Sequence, residues 1–407
     1  MIDLIRKETE RVFSDTVAWR RHLHAHPELS YQEHRTGAYI AEQLRALGIE
    51  VRYPIAGTGA LGLVKGTATA TNDRCICLRA DIDALPIHEL NTCDYRSSQP
   101  GVMHACGHDA HTAMVLTAGA VLHALRAHWS GTVMLLFQPG EEKIPGGATL
   151  VLGENALRDP VPASILGQHC TPELPLGTLG FRPGPFMASS DELYVTVKGK
   201  GGHAAQPDKL IDPIMITAHL LPRLKADFAA RYGGTTGLPA REGLPGKPAL
   251  LGFGKVEALG ATNVVPDVVK LAGTLRAFDE VARADMHAWL PQRANEICAE
   301  HRGSCDFQVM KGYPVLVNDD ALTTRMRAIA VDLVGAANVV DMDIRMGSED
   351  FAFYSHVMPG CFFRLGTGTP GQPLRGLHTP TFDIEEESLS IGSMLMALGA
   401  LSELAGS

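Results

Sequence analysis

The sequence predicts an α/β domain with a mixed sheet flanked by helices, interrupted by an inserted α+β domain. Three observations carry that expectation. Short, nearly continuous apolar runs alternate with helix-like stretches, as strands covered on both faces do. The middle of the chain switches to polar–apolar alternation, the mark of strands with one wet face. Pro183-Gly184-Pro185 and Gly312-Tyr313-Pro314 punctuate the two ends of that middle region. The expected boundaries are 1–188 and 312–407 for the first domain and 189–311 for the insert. At about 150 residues per domain, a chain of this length holds both.

The first segment reads as a helix, with Ile5, Val12, Phe13, Val17 and Leu23 on one face. It must stop near His26-Pro27, because a residue before proline avoids the helical region. Ser30 and Glu33 then have the spacing of a capping box, Ile40, Leu44 and Leu47 keep helical spacing, and Gly48 supplies a stop. Buried strands follow at Cys75–Leu78, Val133–Phe137, Ile165–Leu166 and Cys361–Phe363. The helix between the first two carries Met114, Ala118, Val121, Leu122 and Leu125. In the insert, Glu192–Val197 alternates as a half-exposed strand and Asp212–Leu224 reads as a helix. Lys255–Phe278 holds two more strand-like runs, Asp279–His301 a long helix, and Asp306–Val309 a last strand. Gly233–Pro248, rich in glycine and proline, is expected to be a loop.

Composition narrows the function classes. Of 407 residues 45% are hydrophobic and 20% charged, which is globular rather than disordered. A net charge of −9 gives no basic field for nucleic acid and no polybasic membrane anchor. The apolar run Ile391–Leu401 falls short of the ~20 residues of a membrane span, and the start MIDLIRKETERVF lacks a secretory apolar region. Eight scattered cysteines do not form a disulfide framework, so a soluble, cytoplasmic, reducing-compartment protein is expected. Seventeen histidines, several of them clustered, are the anomaly.

One motif misleads. Gly57, Gly59 and Gly62 fit the dinucleotide GxGxxG pattern, but the pyrophosphate needs a helix directly after it. The following LVKGTATATND reads as strand and turn, so a glycine turn into a strand is the better reading. The chemistry concentrates elsewhere. His104, Cys106, His108, Asp109 and His111 put three imidazoles, a thiol and a carboxylate within eight residues, a density that a metal explains. Glu141 and Glu142 come off the strand ending at Phe137, and adjacent carboxylates in a turn can point different ways. Asp81 and Asp83, Glu141 and Glu142, and Gln168-His169 all follow strand C-terminal ends, the edge where α/β sheets bind ligands. His378, in Leu377-His378-Thr379-Pro380, follows the last strand and could close the site. His22, His24 and His26 fall at a helix end, and His88, His123, His128, His219, His287, His301 and His356 read as surface or packing residues.

RADIDALP, MHACGHDAHTAM, FQPGEE, GKGGHAAQP, TNVVPD, GTLRAFD, GSEDFAFY and LHTPTFD occur in this order. Together, from about His22 to Asp383, they resemble the M20 metallopeptidase family, and within it the amidohydrolases that include hippurate and indole-acetyl-amino-acid hydrolases. The resemblance implies a zinc-peptidase-like catalytic domain with an inserted lid domain that dimerises. It implies Cys106, His108, Glu142, His169 and His378 as ligands of two divalent ions (zinc, manganese, cobalt or nickel), the thiolate bridging. Glu141 matches the family's general base and Asp83 a carboxylate behind the ligands, while Asp81 stands where other branches place a metal-binding histidine. His203 resembles a group that polarises the scissile carbonyl, often across a dimer. Asn263 and Arg276 resemble substrate-binding groups, with Arg276 clamping a carboxylate. Two departures are visible: Gly140 where the family often has alanine, and Asp208 where it often has histidine.

The expected reaction is metal-dependent hydrolysis of N-acyl amino acids, with Glu141 moving the proton. Dipeptide or carboxypeptidase cleavage is a variant of the same chemistry. A Cys106-nucleophile hydrolase and a non-catalytic metal-binding protein are rivals from other classes.

Overall fold

The computed structural model describes residues 1–69, 72–233, 248–369 and 371–406. The chain opens with α1 (Ile2–Ala25), α2 (His34–Ala46), β1 (Glu50–Ile55), β2 (Gly59–Lys65), β3 (Cys75–Asp81) and α3 (His108–Ala124). Next come β4 (Thr132–Gln138), α4 (Gly147–Gly153), β5 (Ser164–Pro175), β6 (Leu179–Phe181) and β7 (Gly184–Met187). The middle holds β8 (Asp191–Lys198), β9 (Gly202–His203), α5 (Pro213–Tyr232), β10 (Ala249–Glu257), β11 (Val264–Val265), β12 (Val268–Ala277), α6 (Glu280–Glu300) and β13 (Ser304–Lys311). The chain closes with β14 (Leu316–Asn318), α7 (Asp320–Val334), β15 (Val339–Asp341), α8 (Ala352–Ser355), β16 (Gly360–Gly368) and α9 (Ser388–Ala405).

Two compact units result. The first comprises 1–184, 317–342 and 350–407, and the second 185–316 and 343–349. The segment 343–349 departs from the expected boundaries, which left it in the first domain. Its backbone explains why: Arg345 N–H donates to Phe186 O, and Ala188 N–H is shared between Arg345 O and Gly347 O.

The first unit is built on an eight-stranded mixed sheet in the order β1-β2-β4-β3-β5-β16-β6-β15. β3 runs parallel to both β4 and β5, and β5 parallel to β16, while β1 and β2 form an antiparallel edge. Every residue of β3 is buried, which is why no alternation appears in its sequence. Register decides where the ligand edge lies. Asp81 pairs with Gln138 and Arg79 with Gly167, so β3 and β4 end level and His169 of β5 lies at the same height. α3 is buried from His108 to Leu122 around its whole circumference, and it packs against α1 and α9. α9 is long and apolar enough to cross a membrane by length and composition, yet 67% of it is buried inside the protein. Gly57–Gly62 proves to be a turn leading into β2, with no helix after it.

The second unit is a four-stranded antiparallel sheet, β10-β12-β8-β13. β8 alternates buried and open positions, and its buried side meets α5 and α6 through Val195, Val197, Leu220, Leu224 and Leu290. Asp212 and Asp279 cap the two helices with their side chains. Of the expected Gly233–Pro248 loop, 234–247 lie outside the described residues. The expected capping box at α2 does not form: Glu33 stands at the N-cap without a side-chain cap bond.

Candidate metal centre

Position comes first. Gly107 holds φ 91° as the N-cap of α3, a conformation that favours glycine, and a Cβ there would crowd that of Cys170 at 3.0 Å. The turn aims Cys106 and, one residue into the helix, His108 at the level strand ends. Glu141 and Glu142 leave β4 through a turn, and His169 stands on β5. His378 comes from the loop after β16 with φ 58°, its N–H held by Ala105 O at 2.8 Å. An imidazole in that backbone region carries strain of the kind found at working sites.

These side chains converge within the first unit. Cys106 Sγ lies 3.3 Å from His169 Nε2 and 3.4 Å from His378 Nε2. His378 Nε2 is 3.2 Å and His108 Nε2 4.0 Å from Glu142 Oε1. Ligand atoms of Cys106, His108 and His169 come within 4.8 Å of one another, as do those of Cys106, Glu142 and His378, and of His108, Glu141 and Glu142. The donor chemistry, thiol with imidazole and carboxylate, suits a first-row divalent ion. Two atoms in the middle of this group support the fit. His108 Nε2 and Glu142 Oε1 are buried without a hydrogen-bond partner, an expensive arrangement unless a cation completes it.

The surroundings set protonation. Burial alone would push Asp83 up, but the bond from His108 Nδ1 at 3.1 Å, with Glu142 N–H and the Ser30 hydroxyl, holds it below the usual carboxylate range. Burial pulls His108 down, and Asp81, Asp83 and Glu142 outweigh it, holding the ring up at about 10. A divalent cation takes the place of such a proton. His169 is driven well below its ordinary value by burial and by Arg364, so its ring is neutral. Its Nδ1 donates to Cys170 O at 2.6 Å, which leaves the Nε2 lone pair facing the cluster. Burial, then Glu142 and Glu141, push the Cys106 thiol well above its usual range, the opposite of an activated nucleophile.

Asp81 and His111 also come close to His108, but both ring nitrogens of His111 are spoken for. Nδ1 meets Asp81 Oδ1 at 2.7 Å and Nε2 accepts Cys170 N–H at 2.9 Å. Asp81 is further held by Arg79 at 2.7 Å, and Arg79 also reaches Gln138 and Asp350. His111 is therefore a brace between β3 and β5, holding the N–H of Cys170, the residue whose carbonyl orients His169. The sequence shows His111 only as one of a cluster; its i+3 spacing from His108 put it on the right face but could not reveal its partners.

The remaining expected residues lie in the second unit. His203 on β9 pairs with Val264 of β11 and its Nδ1 accepts Ala205 N–H at 3.1 Å. Asn263 adjoins it, its carbonyl accepting Ala204 N–H at 3.0 Å. Arg276 on β12 has buried neighbours Leu275 and Ala277 in the helix-facing core, so alternation turns it to the other face. There its Nη1 donates to Ser348 Oγ at 2.7 Å. Asp208 sits on an exposed turn at Pro207–Lys209.

Residues 77–401 match the profile of peptidase family M20/M25/M40. The chain is 36% identical over 390 residues to IAA-amino acid hydrolase ILR1-like 4 of Arabidopsis thaliana, covering 95% of this chain and 84% of that one. It is 31% identical over 404 residues to thermostable carboxypeptidase 2 of Saccharolobus solfataricus, covering 98% of each. Among solved structures it is similar to the YXEP protein of Bacillus subtilis, a dinuclear metal-binding peptidase of the M20 family. There the TM-score is 0.81 at 32% identity, with 97% of this chain and 99% of that one covered.

Proposed function

We propose that this chain, which belongs to peptidase family M20/M25/M40 and is an amidohydrolase of it, cleaves N-acyl amino acids to a carboxylic acid and a free amino acid. The observation that carries the reading is the Glu141-Glu142 turn. Glu142 presents a buried oxygen to Cys106, His108 and His378, and its neighbour Glu141 is buried beside the same group. Cys106, His108, Glu142, His169 and His378 would hold two divalent ions, of zinc, manganese, cobalt or nickel. The chemistry such ions supply when bound is Lewis acidity, which polarises an amide carbonyl and lowers the pKa of water toward ~7.

The protein's own groups do the rest. Glu141 takes the proton of the attacking water and delivers it to the leaving nitrogen. Asp83 keeps the proton of His108 Nδ1 and so leaves Nε2 for the ion. In the second unit, His203 stabilises the developing oxyanion, Asn263 binds substrate, and Arg276 grips the α-carboxylate with its fork, steadied by Ser348. The unit itself serves as lid and dimerisation element, by the likeness to the family. Eight free thiols support a reducing, cytoplasmic setting.

The test is amine release from N-benzoylglycine, N-acetyl and indole-acetyl amino acids, run as purified, after chelation, and after metal is restored. Loss with chelator and recovery with zinc or manganese is expected. Glu141→Gln should lower kcat by about 10²–10⁴ with metal retained; full turnover in that variant rules out the base assignment. The carboxypeptidase relative favours a second reading, cleavage of dipeptides or peptide C-termini, which release from dipeptides alone would select. Release that resists chelator but not iodoacetamide would instead select the Cys106 thiol, 3.3 Å from His169.

A further inference from the structure

Ser30 and Glu33 have capping-box spacing at the start of α2, yet both side chains turn away from that helix. Ser30 Oγ donates to Asp83 Oδ2 at 2.7 Å. Glu33, fully buried, accepts Gly140 N–H on Oε1 at 2.8 Å and the Thr58 hydroxyl on Oε2 at 2.7 Å. Between them Tyr31 holds φ 65°, a left-handed conformation that strains a bulky residue. Its hydroxyl donates to Lys143 O at 2.6 Å and accepts Gly146 N–H at 3.0 Å.

One four-residue segment therefore grips the Gly140–Gly146 turn at its beginning and at its end. It also holds Asp83, which in turn accepts Glu142 N–H at 3.0 Å in the middle of that turn. The ring of Tyr31 fills the space beside Gly140. A Cβ on Gly140 would lie 2.2 Å from Tyr31 Cε1, and Gly140 itself has φ 60°. The glycine that departs from the family's frequent alanine is thus matched to this tyrosine. Glu141 and Glu142 sit in an irregular turn with no ladder or helix to fix them, and a catalytic group must be held to within about 0.5 Å to work.

We propose that Ser30, Tyr31 and Glu33 form a positioning clamp on the Gly140–Gly146 turn that sets the aim of Glu141 and Glu142 for the amidohydrolase reaction. The inference rests on the roles proposed for those two carboxylates. The clamp residues act through the turn and not on substrate, so their loss should alter turnover and metal affinity more than binding.

Two mild variants test it. Tyr31→Phe keeps the ring and removes both hydroxyl bonds; kcat should fall about 10-fold with KM within 2-fold, a loss confined to the reacting state. Ser30→Ala should weaken affinity for Mn²⁺, read by competition with a chromophoric chelator, by about 10–100-fold, and Ser30→Thr should restore it. Amide exchange at Gly146 in metal-free protein should quicken in Tyr31→Phe, a readout independent of activity. Gly140→Ala should lose activity, and Tyr31→Ala in the same chain should recover part of it. The clamp is overturned if Tyr31→Phe and Ser30→Ala keep wild-type kcat and Mn²⁺ affinity, or if only the melting temperature moves. Glu141→Gln run alongside separates the two layers. If it too stays active, the general-base role has failed; if it is dead while the clamp variants are wild type, only the clamp has.

Discussion

Two buried carboxylate clusters, one in each unit, look alike in composition and differ in closure. In the second unit, Asp191 at the start of β8 accepts four bonds: Arg283 Nη2 at 2.6 Å and Gly312 N–H at 3.1 Å on one oxygen, Arg283 Nε at 2.9 Å and His287 Nε2 at 2.7 Å on the other. Arg283 is completed by Glu280 and Gly312 O. In the first unit, Asp83, His108, Glu142 and their neighbours are equally buried in the main, but His108 Nε2 has no hydrogen bond and Glu142 Oε1 faces only imidazoles, His378 Nε2 at 3.2 Å and His108 Nε2 at 4.0 Å. A closed cluster stabilises a fold, and an open one awaits a ligand. Charge and burial alone do not distinguish them; the satisfaction of each polar atom does.

The largest effect expected from breaking this contrast is at Asp191. Asp191→Ala takes the bidentate carboxylate from the buried guanidinium of Arg283 and leaves it Glu280 and Gly312 O, so the cost falls at the low end of the about 3–5 kcal/mol for breaking a buried pair. Amide exchange in β8 and β13 during urea unfolding should report it, with the metal affinity of the first unit unchanged. The matching change in the open cluster should behave oppositely. Glu142→Ala should weaken Mn²⁺ or Zn²⁺ binding by more than about 100-fold, beyond what partners behind the ligands contribute. It should lower the melting temperature of the metal-free protein only slightly, because its partner His378, 3.2 Å away, is half exposed and such a pair contributes about 0–1 kcal/mol. A metal-free protein that melts markedly lower would make Glu142 a structural residue like Asp191.

The two clusters also differ in how far the sequence reveals them. Cys106, His108 and His111 fall within six residues, and Glu141-Glu142 directly follows an apolar strand, so local pattern plus the strand-end rule was enough. Asp191, Arg283 and Gly312 are separated by 92 and 29 residues and carry no motif. His287 reads from sequence as a surface or packing residue with no partner named, and His24 as a helix-end one, although His24 is buried against Asp109 and Glu89. Ser30 and Glu33 were misleading for the same reason: capping-box spacing is local, while their partners Asp83 and Gly140 are 53 and 107 residues away. In the fold, continuous apolar strands such as β3 were legible. The short β6 and β15 were not, and β5 runs twelve residues where only Ile165-Leu166 stood out. Long-range pairing supplies what their composition lacks.

Acid should separate the clusters next. Burial by itself raises the Asp191 carboxyl, but Arg283 and His287 outweigh it and hold it at about 2. A depressed carboxylate contributes stability that is fully present above the unfolded value near 4 and is lost as pH falls through about 2. A shift of that size corresponds to roughly 2 kcal/mol. Stability of the second unit should therefore decline between about pH 4 and pH 2 in the native protein. In Asp191→Asn that part of the slope should be missing; an identical acid limb in both would mean that other carboxylates govern the transition.

The smallest effect belongs to His111, which connects the open cluster to a closed one behind it. Asp81 is bonded to Arg79 and His111, His111 accepts Cys170 N–H, and Cys170 O orients His169. The closed chain thus ends on a ligand of the open site. Packing and hydrogen bonding make different predictions here. If His111 only fills space, Leu and Gln should serve about equally, since both approach its volume. If it transmits orientation, His111→Gln can donate to Asp81 and accept from Cys170, whereas His111→Leu leaves Asp81 Oδ1 and the Cys170 amide unpaired. His111→Leu should then bind metal about 10-fold more weakly than His111→Gln, in the lower range of losses from partners behind a ligand. Equal affinities in the two variants would reduce His111 to a core residue and confine the active part of the site to the atoms that lack partners.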